Sequence, residues 1–213
     1  MSYPLELRHY AAKKSSSVLV LAHGAGQGMD SPFMVHFGES IAQRGVSVVQ
    51  FEFEYMRTVR ATGKRKPPDR EPKLRACWHD VVAQVRKDMK PQQLFIGGKS
   101  MGGRMASMLV DSNEHVNGCV ALGYPFHPPG KPEKTRTAHL ASIMKPMLIV
   151  QGERDTFGTQ TEVREYSLAN TIQCEFLADG DHSLKPRKAS GLTHQQHLED
   201  AAKLIHAFFV QNT

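Results

Sequence analysis

Leu94-Phe95-Ile96-Gly97-Gly98-Lys99-Ser100-Met101-Gly102-Gly103-Arg104-Met105-Ala106-Ser107-Met108-Leu109-Val110 is the stretch whose reading decides the architecture. Its first residues form a short apolar run, which predicts a buried strand over Gln93–Gly97. Its last residues carry the unbranched, helix-favouring side chains of Gly103–Asp111. Between the two lies a turn crowded with glycine, and the one hydroxyl in it is Ser100. A strand that passes into a helix through so short a turn belongs to a strand–helix–strand unit.

Outward from this unit the same alternation continues. Apolar runs at Val18–Ala22, Val46–Phe53, Gly118–Leu122, Met147–Gln151 and Gln173–Leu177 predict further strands. They mostly lack polar alternation, as strands covered on both faces do. Leu5–Tyr10 is a candidate edge strand. Helices are expected over Phe33–Arg44, which stops at Gly45, over Leu74–Met89, which stops before Pro91, and over Thr161–Ala169 and His194–Gln211. The pattern predicts a single α/β domain over residues 1–213, a three-layer α/β/α sandwich on a mainly parallel sheet. A chain of 213 residues is long enough for a full core and too short for a large additional lid.

Gly98-Lys99-Ser100-Met101-Gly102 also fits G-x-S-x-G, the turn that lifts a nucleophilic serine above a sheet. Gly98-Lys99-Ser100 mimics the end of a phosphate-binding loop. That loop needs glycine five residues earlier, where Gln93 stands. A serine nucleophile needs a base and an acid, in the chain order Ser, Asp, His. Asp155 follows one expected strand within a turn, and His182 follows the last one in Ala178-Asp179-Gly180-Asp181-His182. Both would emerge at the carboxyl edge of the sheet, where open α/β sheets bind ligands. Ser100, Asp155 and His182 are therefore the candidate catalytic residues. The first strand runs into His23-Gly24-Ala25-Gly26, whose small residues suit an oxyanion hole. The backbone N–H groups of Ala25 and Met101 are its candidate donors.

On His23–Gly26, Gly97–Gly103, Gly123-Tyr124-Pro125-Phe126-His127-Pro128-Pro129-Gly130 and Gly180-Asp181-His182 running on to Lys185-Pro186-Arg187-Lys188, the chain resembles the α/β-hydrolase superfamily. The closer likeness is to its small lid-less group, similar to a testis-expressed hydrolase-like protein and to the hydrolase-like part of a chromatin acetyltransferase subunit. It is more distantly similar to dienelactone hydrolases, which carry cysteine where this chain has Ser100. The resemblance implies a mainly parallel sheet of about seven strands and no particular substrate. The candidate residues themselves predict a serine hydrolase that acts on a carboxylic ester or thioester through an acyl-enzyme, without a cofactor. Tyr124, Phe126, His127 and Lys185 are candidate substrate-pocket residues.

Charge adds one feature. The chain carries +6, and Arg57–Arg75 holds eight basic residues against two acidic ones, so the remainder is neutral. With Pro67, Pro68 and Pro72, this segment is expected to be an exposed loop or mobile flap that selects anionic substrates or an acidic partner. The rival reading is an interaction module on a hydrolase scaffold that binds an acidic partner there with little turnover. The segment lacks interleaved aromatics, so a nucleic-acid partner is not expected. The longest apolar run, Val18–Ala22, is far short of a membrane span, and residues 1–15 show no secretory pattern. Cys77, Cys119 and Cys174 are too scattered for disulfides or zinc, which fits a cytoplasmic setting. His194 and His197 share a helix face without further ligands, so a solvated face and no metal site is the expectation.

Overall fold

The computed structural model describes residues 3–13 and 15–213. Met1, Ser2 and Lys14, part of the stretch read as free of a secretory signal, lie outside the described residues. Seven strands form one sheet: β1 (Leu7–Tyr10), β2 (Ser17–Ala22), β3 (Ser47–Phe51), β4 (Gln93–Lys99), β5 (Gly118–Leu122), β6 (Met147–Gly152) and β7 (Ile172–Leu177). Their order across the sheet is β1-β3-β2-β4-β5-β6-β7. All pairs are parallel except β1 with β3, so the edge strand expected near Leu5–Tyr10 is the one antiparallel member.

The helices are α1 (Pro32–Gln43), α2 (Glu54–Thr62), α3 (Glu71–Met89), α4 (Met101–Ser107), α5 (Gln160–Arg164) and α6 (His194–Gln211). Each strand sends alternate side chains to opposite faces. Leu19, Leu21, Phe95 and Leu148 pack with Phe37 and Ile41 of α1 and Ile205 of α6. Val18, Val20, Ile96 and Ile149 face Trp78 of α3 and Met105 of α4. Both faces are thus apolar, which is why these strands read as continuous apolar runs. Three layers result, as expected, and no lid domain stands over the sheet among the described residues.

The basic segment differs from its expectation. It is the end of α2, a non-helical stretch over 63–70, and the first turn of α3. The prolines do keep its middle out of helix, but α2 was not legible from the sequence. Its short buried face is Tyr55 and Met56, with Val59 packed partly against the core among residues that read as polar and charged. Asp69 Oδ2 accepts the Tyr55 N–H at 3.0 Å and ties the 63–70 stretch to the start of α2. The last two expected central helices are also shorter: Gly103–Asp111 becomes Met101–Ser107, and Thr161–Ala169 becomes Gln160–Arg164.

Candidate active site

Ser100 sits between β4 and α4 with φ 51° and ψ −114°. A non-glycine residue with positive φ is strained, and such strain is held only where surrounding packing fixes it. Here the fixing is close backbone approach. A Cβ on Gly98 would collide with the Ala22 carbonyl, and one on Gly102 would lie 2.7 Å from His23 O. The Ser100 N–H is held by Leu122 O at 3.0 Å, and its own carbonyl accepts from Arg104 N–H at 3.0 Å. The glycines therefore let α4 press onto the end of β2 while the serine side chain points off the sheet.

His182 reaches this hydroxyl from the loop after β7. Its Nε2 is 2.9 Å from Ser100 Oγ, and its Nδ1 is 2.8 Å from Asp155 Oδ2. Asp155 is fully buried in the turn after β6. Its Oδ2 also accepts from Gln151 Nε2 at 2.9 Å, and its Oδ1 accepts the Phe157 N–H at 2.8 Å. The alternative carboxylates are engaged elsewhere. Asp181 Oδ1 accepts the N–H groups of Ser183 and Lys185, and Asp179 binds Arg187 and Arg154. Burial holds His182 below the ordinary histidine value and the nearby Lys99 charge adds to this, against the pull of Asp155. The imidazole is therefore neutral at neutral pH and able to accept a proton.

Buried polar groups brace the loop after β2. His23 Nδ1 donates to Gly24 O at 2.6 Å, and its Nε2 accepts the Phe53 N–H at 3.2 Å. That pair of bonds selects one neutral tautomer, and burial lowers the His23 pKa in the same sense. The Tyr55 hydroxyl is 3.2 Å from Gly24 O and 3.0 Å from Ala25 O. In a trans peptide the N–H points opposite to the preceding carbonyl, so the Ala25 N–H faces away from Tyr55. Met101 N–H lies in the first turn of α4, where no intrahelical acceptor exists.

A cleft of about 410 Å³ opens beside Ser100 and His182, walled by Phe33 and Met34 of α1, Lys99, Phe157 and the glycine loop. The Phe157 ring stacks on His182 with centroids 4.1 Å apart. Lys99 donates to the His182 carbonyl and lies 5.4 Å from the centre of the Phe33 ring. Burial lowers its pKa to about 8.

The pocket expectations need correction. Tyr124 and Phe126 are fully buried in the core rather than in the cleft. The Tyr124 hydroxyl donates to Arg136 O at 3.0 Å, and Phe126 packs edge-on to Tyr124 at 4.8 Å. His127 is buried too, bonded to Pro128 O at 2.9 Å. Gly123, at φ 63°, turns the chain after β5 so that these side chains point inward. Lys185 is exposed and lies outside the cleft wall. Phe33, Met34, Lys99 and Phe157 line the cleft instead, and of these only Lys99 had a sequence signal, as the variable residue of the serine turn. His194 and His197 are not a solvated pair. His197 is buried with Nδ1 2.8 Å from Leu184 O, and His194 Nε2 is 2.9 Å from Ser183 O. They anchor the loop that carries His182. Among the described residues no group of three His, Cys, Asp or Glu is placed to hold a metal ion, and no helix is long and apolar enough to cross a membrane.

The family model described as alpha/beta hydrolase domain matches residues 15–210. The chain belongs to this alpha/beta hydrolase family. Its fold recurs in solved structures. A serine hydrolase homologue from Coxiella burnetii is 16% identical with a TM-score of 0.72, over 95% of this chain and 90% of that one. A serine hydrolase without lid from Xanthomonas campestris is 16% identical, TM-score 0.72, over 98% and 89%. A dienelactone hydrolase from Anabaena variabilis is 17% identical, TM-score 0.73, over 98% and 92%. At such identities the likeness establishes the fold of this hydrolase domain, lid-less like the Xanthomonas structure, and nothing finer.

The basic segment of the domain is compensated in part. Arg60 pairs with Glu52 at 2.5 Å and Asp30 at 3.0 Å, Lys66 with Asp69 at 3.5 Å, Lys73 with Glu54 at 2.8 Å, and Arg75 with Glu71 at 3.9 Å. Arg57 donates to Tyr3 O at 2.6 Å. Among the described residues, Arg57, Lys64, Arg65 and Arg70 are left without a carboxylate partner, half of the eight basic residues in the segment.

Proposed function

We propose that the protein is a serine hydrolase that cleaves a carboxylic ester or thioester through an acyl-enzyme. The observation that carries this reading is the unbroken chain from Asp155 through His182 to Ser100, at 2.8 and 2.9 Å, opening onto a cleft. Ser100 Oγ attacks the carbonyl carbon as its proton passes to His182 Nε2. The carbonyl π electrons move to oxygen, and the resulting oxyanion accepts hydrogen bonds from the N–H groups of Ala25 and Met101. Collapse of this adduct breaks the bond to the alcohol or thiol, which takes the proton from His182. Water then gives a proton to His182 and adds to the acyl carbon. The bond to Ser100 Oγ breaks, the oxygen regains its proton, and the carboxylic acid leaves. Asp155 holds the imidazole orientation and stabilises its charged form. The substrate is a small molecule, in keeping with an open cleft that no lid covers. A fluorophosphonate should label Ser100, and Ser100→Ala should abolish both labelling and ester hydrolysis. Labelling that survives in the variant would remove Ser100 from the role.

A further inference from the structure

A second lobe of the cleft, about 350 Å³, lies on the other side of Ser100. Ser100, Ala25 and Phe157 border both lobes, but His182 borders only the first. A general acid must stand beside the leaving atom it protonates. The alcohol or thiol therefore departs through the His182 lobe, and the acyl chain occupies the second. That lobe has an apolar wall, Leu74 and Met105, and four charged side chains: Arg104, Arg136, Asp69 and Glu71.

The charges do not balance. Asp69 is shared between Lys66 at 3.5 Å and Lys73 at 3.6 Å and also accepts the Tyr55 N–H. Glu71 is divided between Arg75 at 3.9 Å and Arg104 at 3.3 Å. The Arg104 Nε is buried without a partner. Arg136 has no carboxylate within ion-pair distance among the described residues, although it is only partly exposed. Its burial and the neighbouring Arg104 charge both disfavour its cation. Two half-buried guanidiniums with one shared carboxylate leave a surplus of about one positive charge, and a planar guanidinium fork fits a carboxylate with two parallel hydrogen bonds.

We propose that Arg136 and Arg104 form an anion subsite for the far end of the acyl group, so that the substrate is a hemiester or thioester of a dicarboxylic acid. This rests on the serine hydrolase reading for the direction of the acyl chain, but the anion subsite can be tested without turnover. Ethyl hydrogen glutarate and diethyl glutarate differ only in the distal charge. The wild type should prefer the hemiester in kcat/KM, and Arg136→Gln should lower the hemiester-to-diester ratio about tenfold or more, the usual size of one charge-assisted hydrogen bond. Arg136→Lys should restore part of it. In the Ser100→Ala background, calorimetry should show glutarate binding that Arg136→Gln abolishes. Binding of this kind without any turnover would keep the subsite and discard the hydrolase reading. Equal ratios in wild type and Arg136→Gln, or glutarate binding indifferent to Arg136, would overturn the subsite while fluorophosphonate labelling still reported on Ser100. Replacing Lys64, Arg65 and Lys66 together by Ser should leave the ratio unchanged. A fall there, with none in Arg136→Gln, would move the anion preference to the 63–70 loop and also overturn the proposal.

Discussion

Asp155 spends both carboxylate oxygens on three donors, Gln151, the Phe157 N–H and His182. An asparagine there must keep its oxygen toward the Phe157 N–H and turn its amide toward His182, which favours the wrong imidazole tautomer. Asp155→Asn should therefore lower kcat by up to about 10⁴, as in other triads. Asp181→Asn should cost far less, because the Asn oxygen can still accept from Ser183 and Lys185. Steady-state kinetics on both variants checks this, and the opposite ranking would exclude Asp155. At this scale the meeting of the Ser100, Asp155 and His182 side chains was legible because each follows a strand in the required order. Tyr124 and Phe126 were not. Whether an aromatic in a loop faces cleft or core depends on which way the backbone turns, and here Gly123 turns it inward.

The element that matters most is the β4–α4 turn wedged against the end of β2. A Cβ on Gly102 would reach the carbonyl oxygens of Ala22 and His23. These are buried backbone atoms at and just after the end of β2 and cannot swing aside. Gly102→Ala should lower the unfolding free energy by about 1–3 kcal/mol, the range for overpacking a filled interior. A urea denaturation series measures it, and an unchanged midpoint would mean that the turn has slack the packing does not suggest. The α6 helix has the bounds expected from the sequence, His194–Gln211, and in the structure the Thr193 side chain caps it by accepting the Gln196 N–H. The job of its two histidines was not legible, because the carbonyls they bind, Ser183 and Leu184, come from a loop that only the tertiary fold brings near.

Across the whole molecule, the buried histidines set an acid sensitivity. Burial lowers the pKa values of His23, His139 and His182. The unfolded chain then binds more protons than the folded one below the unfolded value of about 6.5, so stability rises with pH there and falls on acidification. Each histidine that stays neutral in the fold contributes a slope of about 1.4 kcal/mol per pH unit below that value. Carboxylates such as Glu52, Asp30 and Asp179 have folded values below their ordinary ones, so their stabilisation is lost only at lower pH. The urea midpoint should already drop between pH 7 and about 5, and a flat profile there would show these histidines to be protonated in the fold. The alternation of strands and helices, the three layers and the order Ser, Asp, His were determined by the sequence alone. They rest on local apolar periodicity and on glycine at a turn, and both are written in neighbouring residues. The walls of the cleft, the pairing of the basic segment and the uncompensated Arg136 were decided only by the tertiary structure. Each depends on which distant side chains share a space, and a side chain's neighbours across the sheet are set by packing rather than by its place in the chain.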